Sequence, residues 1–201
     1  MIRTLALLLA LALAACAPPG APPRDDPNAR LQWNQHREAL ARVLGFSLQG
    51  RLSDGFGRSG ELLWRQRADD SFTLQLRGPL GAGAVAIDGD ADGVIVRSKD
   101  GEHRTDDPQG WMQAALGWTL PLADLRAWTL GLPADGAIDR LVLDAEGRIA
   151  SLEQHGWTVH YDSYQTVGAL ALPRRLEARS AEVHLRLLID RWAALDLAAA
   201  S

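Results

Sequence analysis

The feature that most limits what this chain can fold into is a two-residue hydrophobic period that returns along most of its length. Phe46, Leu48 and Leu52 alternate with Ser47, Gln49 and Arg51; Leu62 and Trp64 precede polar Gln66; Phe72, Leu74 and Leu76 alternate with Thr73, Gln75 and Arg77. Successive side chains of a strand point to opposite faces, so each segment has one apolar and one wet face, as antiparallel strands do. Turn formers separate them at Asp54-Gly55, Asp69-Asp70, Gly78-Pro79-Leu80-Gly81 and the stretch from Asp88-Gly89-Asp90 to Gly93, and a meander is the simplest topology. The period resumes at 141–143, 149–154, 157–161, 172–178 and 183–192, although Leu188 interrupts the polar side of the last.

Three helical patterns break this run. Residues 28–44 carry Leu31, Leu40, Val43 and Leu44, with Trp33 near the start and Gly45 as a stop. Asp107-Pro108 reads as an N-cap and first helical residue before Trp111, Met112, Ala115 and Leu116, ending at Gly117. Pro121 opens a third helix with Leu122, Leu125 and Thr129 on one side and Trp128 beside them, ended by Gly131 and Pro133. The expected architecture is therefore mainly β with some α: about ten antiparallel strands and a few short helices. A sheet of that size tends to curl, and helices across its mouth would enclose a space.

The N-terminus has a different character. Leu5 to Ala15 is an apolar run too short to span a bilayer, preceded by Arg3 and followed by the chain's single Cys, Cys16. Small residues before Cys16 suit an export peptidase, and the pattern resembles a bacterial lipobox, in which the cysteine becomes the first mature residue and carries covalent lipid. Several acyl chains make such an anchor effectively permanent. By the same resemblance Ala17, where Asp commonly retains lipoproteins in the inner membrane, points to the outer membrane. Residues 17–27 are Pro-rich and suit an extended tether. The expected organisation is a leader at 1–15, a lipidated cysteine and tether at 16–27, one folded domain at 28–195 and a tail at 196–201.

Composition removes several function classes. With 21 Lys and Arg against 25 Asp and Glu, the formal charge is −4, and there is no broad positive field for nucleic acid. One cysteine allows no internal disulfide and no cysteine-rich zinc cage. The five His residues lie at no metal-ligand spacing, and there is no nucleophile elbow or phosphate loop, so no catalytic residue, metal site or cofactor is assigned. Asp69-Asp70 and Asp106-Asp107 read as turn and cap residues.

Two features remain. Seven Trp occur beside only three Phe and two Tyr; Trp suits an ordinary core and equally the wall of a cavity for lipid tails. Leu80 sits at the tip of a turn where polar residues are usual, either presented to acyl chains or another protein, or folded back onto the core.

In order and spacing the chain resembles the LolB family of outer-membrane lipoprotein receptors. The resemblance runs through Gly50-Arg51-Leu52, Trp64-Arg65-Gln66, Gly78-Pro79-Leu80-Gly81, Gly117-Trp118, Leu125-Arg126-Ala127-Trp128 with Gly131-Leu132-Pro133, Gln154 to Trp157, Tyr161, Tyr164, Leu172-Pro173 and the 185–192 segment. It implies an open, curved antiparallel sheet, a half-barrel of about 10–11 strands covered by a few short helices around an apolar cavity. It also implies a monomer anchored in the outer membrane and facing the periplasm, with a periplasmic carrier of LolA type, acylated lipoprotein cargo and outer-membrane lipid as partners. The lipid-modified residue falls on Cys16, the protruding membrane-inserting residue on Leu80, and the best cavity candidates are Trp64 and Trp128. The rival from another class is a structural or assembly lipoprotein whose Trp residues only pack.

Overall fold

The period-two segments pair as their wet and dry faces require. The computed structural model describes residues 27–54, 59–78, 84–116 and 121–198. Cys16, Leu80 and Trp118 lie outside the described residues, as do the leader and nearly all of the tether. Among the described residues eleven strands form one antiparallel sheet: β1 (Val43–Asp54), β2 (Ser59–Gln66), β3 (Phe72–Arg77), β4 (Val85–Asp90), β5 (Gly93–Ser98), β6 (Gly101–Thr105), β7 (Arg140–Leu143), β8 (Ile149–Gln154), β9 (Trp157–Val167), β10 (Leu170–Arg179) and β11 (His184–Leu197). The helices are α1 (Pro27–Leu40), α2 (Pro108–Leu116) and α3 (Leu122–Leu130).

The strand order is β6-β5-β4-β3-β2-β1-β11-β10-β9-β8-β7. Each half is a meander, and the first and last strands join the halves in the middle. The sheet stays open, with β6 and β7 as its edges. Three register shifts at the join, between Val43 and Gly45, Ser47 and Leu48, and Gln49 and Gly50, bend the paired strands. Gly50 is required there, because a Cβ would come within 2.3 Å of the Leu188 carbonyl oxygen.

One face of the sheet is dry. Trp192, Leu48, Trp64, Leu74, Ile87 and Val96 stand opposite one another in register from β11 across to β5, and all are buried. Phe46 meets both Trp64 and Trp192 edge-on, at centroid separations of 5.3 and 5.4 Å, a favourable arrangement for aromatic quadrupoles. On the other face Arg51 forms a two-pronged pair with Asp190. Leu188, which breaks the polar pattern in the sequence, stands between Arg51 and Arg175 on its two neighbouring strands.

Two local expectations are corrected. The first helix ends at Leu40, and Val43 and Leu44 belong to β1, because Val43 pairs with Leu197 and Gly45 with Asp196. That pairing carries β11 to Leu197. On α1 the buried residues are Ala29, Trp33 and Leu40, whereas Leu31 is exposed, so the true face follows the helical period from Ala29. Asp88 to Asp90 is strand, not turn; the Phe72 ring lies over Gly89, where a Cβ would come within 2.2 Å of it. Gly89 is there for close approach of an aromatic ring, not for a bend.

Candidate functional site

The helices decide how the dry face is covered. Asp107 caps α2 by accepting a hydrogen bond from the Gly110 amide at 2.9 Å, and Trp111 of α2 stacks on His103 of the edge strand at 6.0 Å. α3 starts after Pro121 with no side-chain cap and ends on Gly131 in the left-handed region (φ 79°), whose cap amides reach the Ala127 and Trp128 carbonyls. Polar side-chain contacts tie α3 to both halves of the sheet. Arg126 pairs with Asp70 in the β2–β3 turn at 2.5 Å and donates to the Leu44 carbonyl at 3.1 Å; Asp124 pairs with His155 in the β8–β9 turn at 2.8 Å.

Over the β7–β11 half, α3 packs against β10, and its tryptophan is enclosed. Trp128 is 0% exposed, lies 5.9 Å from the Trp157 ring, and directs its Nε1 to Gln154 Oε1 at 3.5 Å. Gln154 also accepts from the Ala134 amide at 2.9 Å and donates to the Ala134 carbonyl at 2.8 Å. Tyr161 donates to the Trp128 carbonyl at 2.9 Å and Tyr164 to the Ile149 carbonyl at 2.6 Å. Burial pushes both phenols above their ordinary range, so they stay neutral donors.

Over the β1–β6 half a cavity of about 450 Å³ remains, within the usual range of small-ligand pockets. Its floor is Trp64, Phe72, Leu74 and Val94. Pro108 and Gln109 from α2, and Leu122 and Ala123 from α3, form the opposite wall, while Gln66, Asp70 and Arg126 make one polar margin. The polar groups at this margin are engaged with one another: Gln66 Nε2 donates to the Asp70 and Ser71 carbonyls at 3.1 and 3.4 Å, and Arg126 holds Asp70. Trp64 is 3% exposed and its Nε1 is buried with no hydrogen-bond partner among the described residues.

The two Trp residues singled out in the sequence are thus not brought together. Trp64 lines the cavity; Trp128 fills the core of the other half. Arg126, Asp70 and Phe72 were not assigned to the site from the sequence, although a lone cation in the otherwise uncharged 125–130 stretch of α3 was a usable signal for Arg126. Among the described residues no cluster of His, Cys, Asp and Glu could hold a metal ion, and no helix is long and apolar enough to cross a membrane. Chemically, the site can shelter an apolar chain.

Comparison with known proteins gives a consistent picture. Residues 44–192 match the family model described as outer membrane lipoprotein LolB. Curated relatives include the outer-membrane lipoprotein LolB of Stutzerimonas stutzeri, 36% identical over 195 residues and covering 94% of this chain and 93% of the relative. That of Pseudomonas putida is 35% identical over 165 residues, 80% of each chain. A solved LolA superfamily protein from Nitrosomonas europaea aligns at 11% identity and a TM-score of 0.47 over 85% of this chain and 94% of that one, too distant to bear on function.

Proposed function

The chain belongs to the LolB family, and from that premise we propose that it is a receptor, anchored in the outer membrane through lipid on Cys16, that accepts acylated lipoproteins from a periplasmic LolA-type carrier and inserts them into the outer membrane. Family membership places it among outer-membrane lipoproteins with a role in lipoprotein localisation. The observation that carries the finer reading is the cavity, with its apolar floor of Trp64, Phe72, Leu74 and Val94.

The physics requires no nucleotide and no catalytic group. Acyl chains do not cross water unaided, so cargo moves down a ladder of affinities in which about 1.4 kcal/mol is one tenfold step. A cavity that holds acyl chains slightly better than the carrier does, and less well than a bilayer, is sufficient. An adaptable apolar wall suits this, because a receptor for many lipoproteins reads only what they share. Trp64 serves as wall, while Trp128 fixes the helix that covers the mouth. Leu80 would enter the bilayer at the last step; burying one leucine is worth about 1.5–3 kcal/mol, enough to favour a transient contact and too little to anchor.

The test is transfer. Mature protein carrying Cys16→Ala, and so no lipid of its own, is expected to remove labelled lipoprotein from a carrier complex and to bind a fluorescent acyl probe. A structural or assembly lipoprotein would do neither. With the lipidated protein, Leu80→Glu is expected to slow insertion into liposomes by about tenfold or more; uptake and insertion both unchanged would remove the role from Leu80.

A further inference from the structure

The wet face of the sheet holds a second hollow, of about 350 Å³, on the reverse of the cavity floor. Its lining follows the pleat. Arg65 of β2 stands between Ser47 of β1 and Thr73 of β3, and one step along the same face Leu63 stands between Gln49 and Gln75. The residues beside Arg65 are small, and the register shift between Ser47 and Leu48 leaves Ala193 of β11 as an extra, short residue at the rim.

The hollow offers donors and no carboxylate. Arg65 has neither a hydrogen bond nor an ion pair among the described residues. Gln49 Oε1 already accepts from Arg191 at 2.7 Å and Gln75 Oε1 from Arg77 at 3.1 Å, so what the two amides keep for a ligand is their Nε2 donors. The hydroxyls of Ser47 and Thr73 add two more. The carboxylates of this face are placed elsewhere: Asp88 is held by Arg97 and Asp190 by Arg51. Glu61 stands in the next row, between Arg51 and Arg77, and does not line the hollow. In a chain of formal charge −4, this is a local excess of positive charge and of hydrogen-bond donors.

These features choose the ligand. A guanidinium fork matches the paired oxygens of an anion. A carboxylate brings two oxygens, whereas a phosphate ester brings three, closer to what one guanidinium, two hydroxyls and two amides can donate to. The hollow lies at the lower end of small-ligand pockets, has more room than a five-atom ion fills, and offers carbon one apolar spot at Leu63. We infer that it binds the phosphate ester of a small polyol, of which the glycerophosphoryl group is the simplest, with Arg65 on the phosphate and Gln49 and Gln75 on the hydroxylated body. This site is separate from the apolar cavity and stands or falls independently of acyl binding.

The test titrates the full mature chain carrying Cys16→Ala with glycerol 3-phosphate, following the Arg65 Nε–H and the Gln49 and Gln75 side-chain amide resonances. Saturable shifts are expected, with affinity at least about fivefold above that for inorganic phosphate and for glycerate, which carries a carboxylate on a similar body. Arg65→Gln, at an exposed position, should weaken binding about tenfold or more, and Thr73→Val about three- to tenfold; neither should change acyl-probe binding. No response by about 10 mM overturns the site. Equal binding of glycerol 3-phosphate, inorganic phosphate and sulfate means an adventitious ion only and also overturns it. So does glycerate binding as tightly, or an affinity indifferent to Arg65→Gln. A second arm finds the source of the ester: cosedimentation with phosphatidylglycerol vesicles that Arg65→Gln abolishes identifies a lipid headgroup, and sedimentation unaffected by Arg65→Gln identifies a soluble ester.

Discussion

Trp64 and Trp128 lie over opposite halves of one sheet, and the contrast between them divides the molecule. In the β7–β11 half, Trp128 comes down from α3, meets Trp157, and has its indole N–H directed to Gln154; the ring is 0% exposed. In the β1–β6 half, Trp64 rises from the sheet itself, packs against Phe46, and faces space that α2 and α3 only border. Both halves contribute buried apolar side chains to one core. The difference comes from where the covering helix places its one large side chain. A filled half gives the fold its stability, and an unfilled half keeps dry surface available at the cost of the packing it forgoes.

The largest test of that contrast is truncation. Trp128→Ala removes a fully enclosed ring and strands Gln154, with an expected loss of about 3–5 kcal/mol in urea unfolding. Trp64→Ala should cost clearly less, because its surroundings already border a void and can relax into it. Equal losses would show that the two halves are packed alike. A middle-sized effect is expected from the polar hub: Gln154→Leu orphans the Ala134 amide and carbonyl together with the Trp128 N–H, for about 2–3 kcal/mol of destabilisation, with little change in acyl-probe binding in the other half.

Acid provides a finer probe of the filled half. Glu177 on β10 accepts hydrogen bonds from His184, from Arg186 at 2.8 Å and from Arg179 at 2.9 Å. Burial pushes its carboxyl up, but these three donors together outweigh burial and hold it down at about 2, against an ordinary 4.5. Between those values the unfolded chain binds the proton and the folded one does not, so stability rises with pH across the window. The contribution is complete above about pH 4.5 and is lost as the pH falls toward 2. Glu177→Gln should flatten that part of the pH–stability curve, read by thermal unfolding at stepped pH; an unchanged slope would assign the acid sensitivity elsewhere. The smallest stability effect belongs to Arg126→Gln, at about 0–1 kcal/mol for a partly exposed pair. Its value is in the other readout, since it loosens α3 over the unfilled half and should speed release of an acyl probe without altering unfolding.

Much of this was legible one residue at a time. Alternation placed the strands, Asp107-Pro108 and Gly131 placed the ends of two helices, and Trp64 stood out because it belongs to a motif shared with the LolB family. What misled was local reading of residues whose reason is distant. Gly89 looks like a turn until Phe72 is seen across it. Val43 and Leu44 continue a helical pattern until β11 claims them as strand. Leu188 looks like an error in the polar face until Arg51 and Arg175 flank it. Asp70 reads as a turn residue, and its second role as the partner of Arg126 joins positions 56 residues apart.

The sequence by itself determined the two-faced strands, the helix stops, and the supply of large apolar side chains, because each depends on the chemistry of a residue and its near neighbours. It also determined the family, through the order of short motifs. Only the tertiary structure decided that, among the described residues, the first and last strands meet in the centre, that α3 contacts both halves, and that one tryptophan finds an acceptor while another does not. Those outcomes rest on closing long loops and on donor-to-acceptor distances of about 3 Å, and neither is written in the identity of a residue or in its spacing from the next.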